Sequence, residues 1–174
     1  MMYIADFEMF SKIFNNIDLD MSKFEKTWED IKQEEKNETK ITDSLNRIPH
    51  QLPALIKAEK IQKKAALVGF DWNNLDDILK KIHEEFKELL DECQSMNVKY
   101  IKEELGDVIF SLVNLARFLH IDSEEALNGT NQKFIDRFEF IEESALRLGK
   151  KIDDMSLEEM DKFWEEAKRN KINN

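Results

Sequence analysis

Glycine and proline are scarce, at four and two residues in a chain of 174. Hairpins, Greek keys and many-stranded sheets take their turns from these residues, so such folds are disfavoured. Valine and threonine, which strands favour, occur only four times each. The lone cysteine, Cys93, excludes an internal disulfide and suits a reducing compartment, the cytoplasm. No run approaches the ~18 consecutive apolar residues of a membrane span. The opening segment Met1-Met2-Tyr3-Ile4-Ala5-Asp6-Phe7-Glu8 has neither the basic flank nor the apolar core of a signal peptide. Positive charge is in deficit, with 26 Lys and Arg against 37 Asp and Glu and a net charge of −11. That balance disfavours a nucleic-acid partner and favours a cationic one.

What the chain has in abundance is Lys, Glu, Leu, Asp and Ile, a composition that builds long helices, and its length suits one domain of about 100–200 residues. The expected fold class is all-α. Apolar residues at helical spacing predict helices over 2–17 and 21–35, followed by a polar stretch and a boundary near Arg47-Ile48-Pro49. Further helices are expected from Leu52 to Val68, stopped by Gly69, then over 75–92 and 98–120. The next opens at Asp122 or Ser123 and ends at Gly149, with Asn128-Gly129 weakening its first turns, and Ser156 caps a last helix through Lys168. Phe24-Glu25-Lys26-Thr27-Trp28-Glu29-Asp30-Ile31-Lys32 echoes Asp161-Lys162-Phe163-Trp164-Glu165-Glu166-Ala167-Lys168, either by chance or as the tail of a lost repeat.

The central feature is His83-Glu84-Glu85-Phe86-Lys87-Glu88 on one expected helix and Lys102-Glu103-Glu104-Leu105-Gly106-Asp107 on the next. At 3.6 residues per turn, Ile78, Ile82, Phe86 and Leu89 define an apolar stripe that contains Glu85, with Glu88 about 60° to one side. Ile101, Leu105, Val108 and Leu112 form the stripe of the second helix, with Glu104 and Asp107 beside it. Both helices thus aim an i, i+3 pair of acids at the surface on which they pack. Four converging carboxylates repel one another and lose hydration, so they require a counter-charge. Oxygen-only ligands suit Mg²⁺, with Mn²⁺ as a substitute. Spacing alone leaves open a plain solvated acidic face.

Lys133 and Arg137 lie four apart beside Phe134 and Phe138, where they could hold phosphate oxygens or pair with Glu139 and Glu143. His83 and His120 read as structural histidines, and Cys93 as a buried or half-buried residue with nothing to activate it. Trp72 and Trp164 could each stack on a nucleobase or pack in the core. Gly106 has the place of a residue that lets another helix approach beside Asp107.

Taken in order, these blocks resemble the MazG family of nucleoside triphosphate pyrophosphohydrolases. The likeness runs from about Leu52 to Lys168. It is carried by Leu52-Pro53-Ala54-Leu55-Ile56-Lys57-Ala58, Gln62-Lys63-Lys64-Ala65-Ala66, Val68-Gly69-Phe70-Asp71-Trp72 and the two acidic segments. Val113-Asn114-Leu115-Ala116-Arg117, Asn131-Gln132-Lys133-Phe134 and Arg137-Phe138 complete it. The resemblance implies an all-α pyrophosphatase bundle completed by dimerisation, with Glu85, Glu88, Glu104 and Asp107 as Mg²⁺ ligands. It further implies that Lys133 and Arg137 contact the triphosphate, that Trp164 and Lys168 bind the nucleotide, and that an NTP is split to NMP and pyrophosphate. Glu84, beside the ligands, is a candidate general base.

Residues 1–48 lack the full acidic signature, since Glu34-Glu35-Lys36-Asn37-Glu38 has no Glu-x-x-Asp segment within that stretch, so they read as a helical extension, the stub of a preceding repeat, ahead of a catalytic domain over 49–174. The expected function is Mg²⁺-dependent NTP pyrophosphohydrolysis that clears the nucleotide pool, carried out by a cytoplasmic homodimer. The alternative is a noncatalytic helical dimer that binds a nucleotide or a protein.

Overall fold

The computed structural model describes residues 40–172. The helices expected over 2–17 and 21–35, and the Phe24–Lys32 echo, lie outside the described residues. Those described form α1 (Ile41–Asn46), α2 (Ala54–Leu67), α3 (Leu75–Ser95), α4 (Val98–Phe118), α5 (Ser123–Arg147), a 3₁₀ turn (Ile152–Asp154) and α6 (Leu157–Ile172). They contain no strand, so the all-α class holds.

The chain contacts define two units. One holds α1, most of α2 and the loop to Asn73, while the other holds residues 53–56 and everything from Asn74 onward. In the first unit Ser44, Ile48 and Gln62 are buried, and Lys64 donates to Ser44 Oγ across 2.6 Å. Gly69, at φ +85°, ends α2 in the left-handed conformation that glycine adopts without a Cβ penalty. The Phe70 N–H then reaches the Ala65 carbonyl and the Gly69 N–H that of Ala66, which satisfies two carbonyls of the last turn.

The second unit begins with a helical hairpin. Asn74 caps α3 by accepting from the Asp77 N–H, and Met96, at φ 55°, ends it. Asn97 caps α4 directly afterwards, so a two-residue connection folds α4 back along α3. The expectation that α4 continues to His120 is corrected by two residues. His120 takes φ 56° and the Ile121 N–H bonds the Ala116 carbonyl, which closes the helix as a glycine would.

Asp122 caps α5 through the Glu125 N–H, and that helix runs unbroken through Gly129, so the expected weak start is not seen. Intact i→i−4 bonding there outweighs the propensity cost of a single glycine, about 1 kcal/mol. After Gly149 the chain makes the 3₁₀ turn and reaches Ser156. Ser156 Oγ accepts from the Glu159 N–H and the Glu159 carboxylate accepts from the Ser156 N–H, a reciprocal capping box that starts α6. Ile141, Ala145 and Met155 form the core where α5 meets α6, with Ile152, Met160, Phe163 and Trp164 packed on it.

Candidate metal centre

The hairpin gives α3 a packed face that differs from the expected stripe. Ile78 is buried and Ile82 and Leu89 are half-buried, but Phe86 is 52 % exposed while Glu85 is only 8 % exposed. On α4 Val108 is buried and Ile101 half-buried, whereas Leu105 and Leu112 are each 47 % exposed. The physical reason is angular: residues 78, 82, 85 and 89 follow one line along the helix, and Phe86 sits about 100° from Glu85. The acid occupies the place in the packed seam that an apolar residue would take, and the aromatic ring lies outside it.

Across the hairpin, Glu104 comes to Glu85 and Glu88 so that one oxygen of each lies within 4.8 Å of the others. Asp107, one turn beyond Glu104, stands outside this close group but near enough for its charge to act on Glu104. The Glu104 carboxyl is pushed above the ordinary carboxylate range, first by desolvation and then by the charges of Glu88, Asp107, Glu85 and Glu92. Three acidic oxygens drawn together, one of them on a buried residue, can hold a cation. A donor set made only of carboxylate oxygens fits a hard divalent ion.

Glu84 lies outside the group, exposed, with its Oε1 2.8 Å from Lys81 Nζ. The same ammonium lies 2.8 Å from Glu85 Oε1. Lys81 was not among the residues singled out from sequence, although its positions three and four before the two acids carry the signal. His83 Nδ1 sits 2.7 Å from the Leu79 carbonyl, as a structural histidine should. Gly106 has nothing within 4 Å of where a Cβ would project, so no described helix closes on it, contrary to the expectation. Cys93 is exposed rather than buried or half-buried, because it stands one residue past the packed line that ends at Leu89 and Glu92.

Of the cationic residues singled out on α5 and α6, Arg137 meets a ring. The Arg137 guanidinium lies 5.2 Å from the centroid of Trp164, whose ring is tilted against Phe134 at 5.1 Å. Phe134 in turn stacks with Phe138. Among the described residues, Lys133 and Arg137 form no ion pair with Glu139 or Glu143, and the buried Nε of Arg137 has no hydrogen-bond partner. An orphaned guanidinium nitrogen supports an anion-binding role for Arg137. Lys168, by contrast, is paired with Glu165 at 2.5 Å. Trp164 packs against the α5–α6 core, and Trp72 lies partly exposed in the loop before α3.

Comparison with known proteins meets this geometry on the same residues. Residues 73–140, which span the whole acidic hairpin and the start of the basic face, match the MazG nucleotide pyrophosphohydrolase domain. Over these residues the chain is similar to a MazG domain. It is 41 % identical over 143 residues to the nucleoside triphosphate pyrophosphohydrolase/pyrophosphatase MazG of Thermotoga maritima, a match covering 82 % of this chain and 54 % of that protein. It is likewise 41 % identical over 147 residues to the nucleoside triphosphate pyrophosphohydrolase of Escherichia coli K12, covering 83 % of this chain and 56 % of the relative. YabN of Bacillus subtilis, an uncharacterized protein, is 52 % identical over 142 residues, which cover 81 % of this chain and 29 % of YabN. The chain thus spans about half the length of the Thermotoga maritima and Escherichia coli relatives.

Proposed function

We propose that residues 49–174 form a catalytic unit that hydrolyses nucleoside triphosphates to the monophosphate and pyrophosphate, with Mg²⁺ as cofactor and Mn²⁺ as substitute. The observation that carries this reading is the gathering of Glu85, Glu88 and Glu104 within 4.8 Å on a packed hairpin. Asp107 joins them as the fourth ligand of the ion. Mg²⁺ bound there supplies Lewis-acid polarisation of phosphate oxygens and a more acidic bound water. Water attacks the α-phosphorus, a new P–O bond forms, the bridge to the β-phosphorus breaks and pyrophosphate leaves. Glu84 takes the proton of that water, its carboxylate held by Lys81 at 2.8 Å. Lys133 and Arg137 meet the charge that grows on the pyrophosphate, Arg137 with its free Nε. Trp164 and Lys168 contact the nucleotide, and Trp164 also steadies the guanidinium stacked on it.

The reading extends to a homodimer. Leu75, Leu79, Phe86 and Leu90 on α3, and Leu105, Ile109 and Leu112 on α4, are exposed at helical spacing. Such an apolar surface is characteristic of a protein interface. No described helix is long and apolar enough to cross a membrane, and the single free cysteine suits the cytoplasm.

Incubating the purified protein with Mg²⁺ and a panel of NTPs, and separating the products, tests the proposal. Monophosphate and pyrophosphate in equal amounts are expected from at least one substrate. Orthophosphate release contradicts attack at the α-phosphorus.

A further inference from the structure

Lys81 directly contacts a member of the three-acid group, and the proposed chemistry uses it only to hold Glu84. Its ammonium stands 2.8 Å from Glu84 Oε1 and 2.8 Å from Glu85 Oε1. The two acceptors differ in kind. Glu85 is a buried member of the three-acid group, with a side chain 11 % exposed, while Glu84 stands outside that group with a side chain 57 % exposed. A lysine placed before its acids is the less favourable order for a helical ion pair, so the helix dipole does not recommend this arrangement. The negative potential around Glu85 does.

Resting on the metal reading above, we propose that Lys81 is a built-in counter-cation that competes with the divalent ion for Glu85. Glu84 is the partner that keeps the ammonium when the ion binds. An ammonium and a divalent ion sharing one carboxylate repel each other strongly in a partly desolvated seam. Lys81 resolves that conflict by yielding Glu85 and keeping Glu84, one residue away on the same helix, with no change of backbone. A lysine ammonium is charged throughout the neutral range. The competition is therefore one of charge against charge. Lys81 keeps the metal-free acids from forcing the hairpin apart, and it sets the metal concentration at which the site fills.

The test is calorimetric titration of the full chain with MgCl₂ and with MnCl₂, without nucleotide, alongside thermal melts of the metal-free protein. Lys81→Gln is expected to bind either ion on the order of three- to tenfold more tightly than wild type and to melt at a lower temperature without metal. Lys81→Arg, which keeps the charge, stays close to wild type. Lys81→Met, which keeps the apolar stem, replaces Lys81→Gln in the comparison if the glutamine variant does not fold. In addition, Glu84→Gln is expected to weaken metal binding more when Lys81 is present than in the Lys81→Gln background, because only Lys81 needs the second acceptor. Unchanged or weaker binding by the folded charge-removing variant, Lys81→Gln or Lys81→Met, overturns the competition. Failure of the wild type to take up either ion overturns the metal reading itself, so the two failures are distinguishable.

Discussion

Glu104 gathers the electrostatics of the site into one side chain. Desolvation and four neighbouring acids hold its carboxyl above the ordinary value of 4.5 at which it ionises in the unfolded chain. Across the interval just above that value the folded protein therefore binds more protons than the unfolded one, and stability falls as pH rises. Thermal melts of metal-free wild type and Glu104→Gln from pH 4.5 towards about 7 check this. Wild type is expected to lose stability relative to the variant as pH rises, and Mg²⁺ is expected to cancel the loss. Glu85 is the more consequential residue for turnover, because it is the buried member of the group. Since loss of an outer partner of a metal ligand costs about 10–100-fold, Glu85→Gln should lower turnover by more than about 100-fold. A kinetic comparison at saturating Mg²⁺, with the fold checked by circular dichroism, measures it.

Helix ends were the most readable elements of this sequence because each depends on a few adjacent atoms. Gly69 and Gly149 stop helices at φ +85° and +69°, and Asp122 and Ser156 cap the helices they precede. The end at His120 was not readable, since a histidine carries no sequence signal for the left-handed conformation that glycine advertises. The face each helix buries was only half legible. Alternation placed Ile78 and Val108 inside correctly, but α3 carries two apolar lines, and spacing does not decide which of them faces α4. The acids of the site could be named from their i, i+3 pairing, whereas the approach of Glu104 to Glu85 and Glu88 depends on the register of the hairpin. The Trp164–Arg137–Phe134 grouping spans two helices and has no local signature at all. At this scale the capping box of α6 makes a simple test. Ser156→Ala removes the acceptor of the Glu159 N–H and should cost about 1 kcal/mol, read as a lower denaturation midpoint with an unchanged slope.

For the whole molecule, the exposed lines on α3 and α4 are the decisive feature. A chain with net charge −11 gains solubility from its acids, yet it leaves Phe86, Leu90, Leu105, Ile109 and Leu112 on its surface. A second copy that covers them turns this cost into association energy, at roughly 25 cal/mol per Å² of apolar area buried. Sedimentation analysis should find a dimer, and Ile109→Asp should shift the population to monomer. A monomeric wild type at micromolar concentration contradicts the dimer.

The central claim is that the acidic hairpin directs water to the α-phosphorus of a nucleoside triphosphate. Hydrolysis in ¹⁸O-labelled water with Mg²⁺, followed by mass analysis of both products, tests it most directly. The expected result is label in the monophosphate and none in the pyrophosphate. Label in pyrophosphate or orthophosphate, or equal turnover by Glu85→Gln, would contradict it.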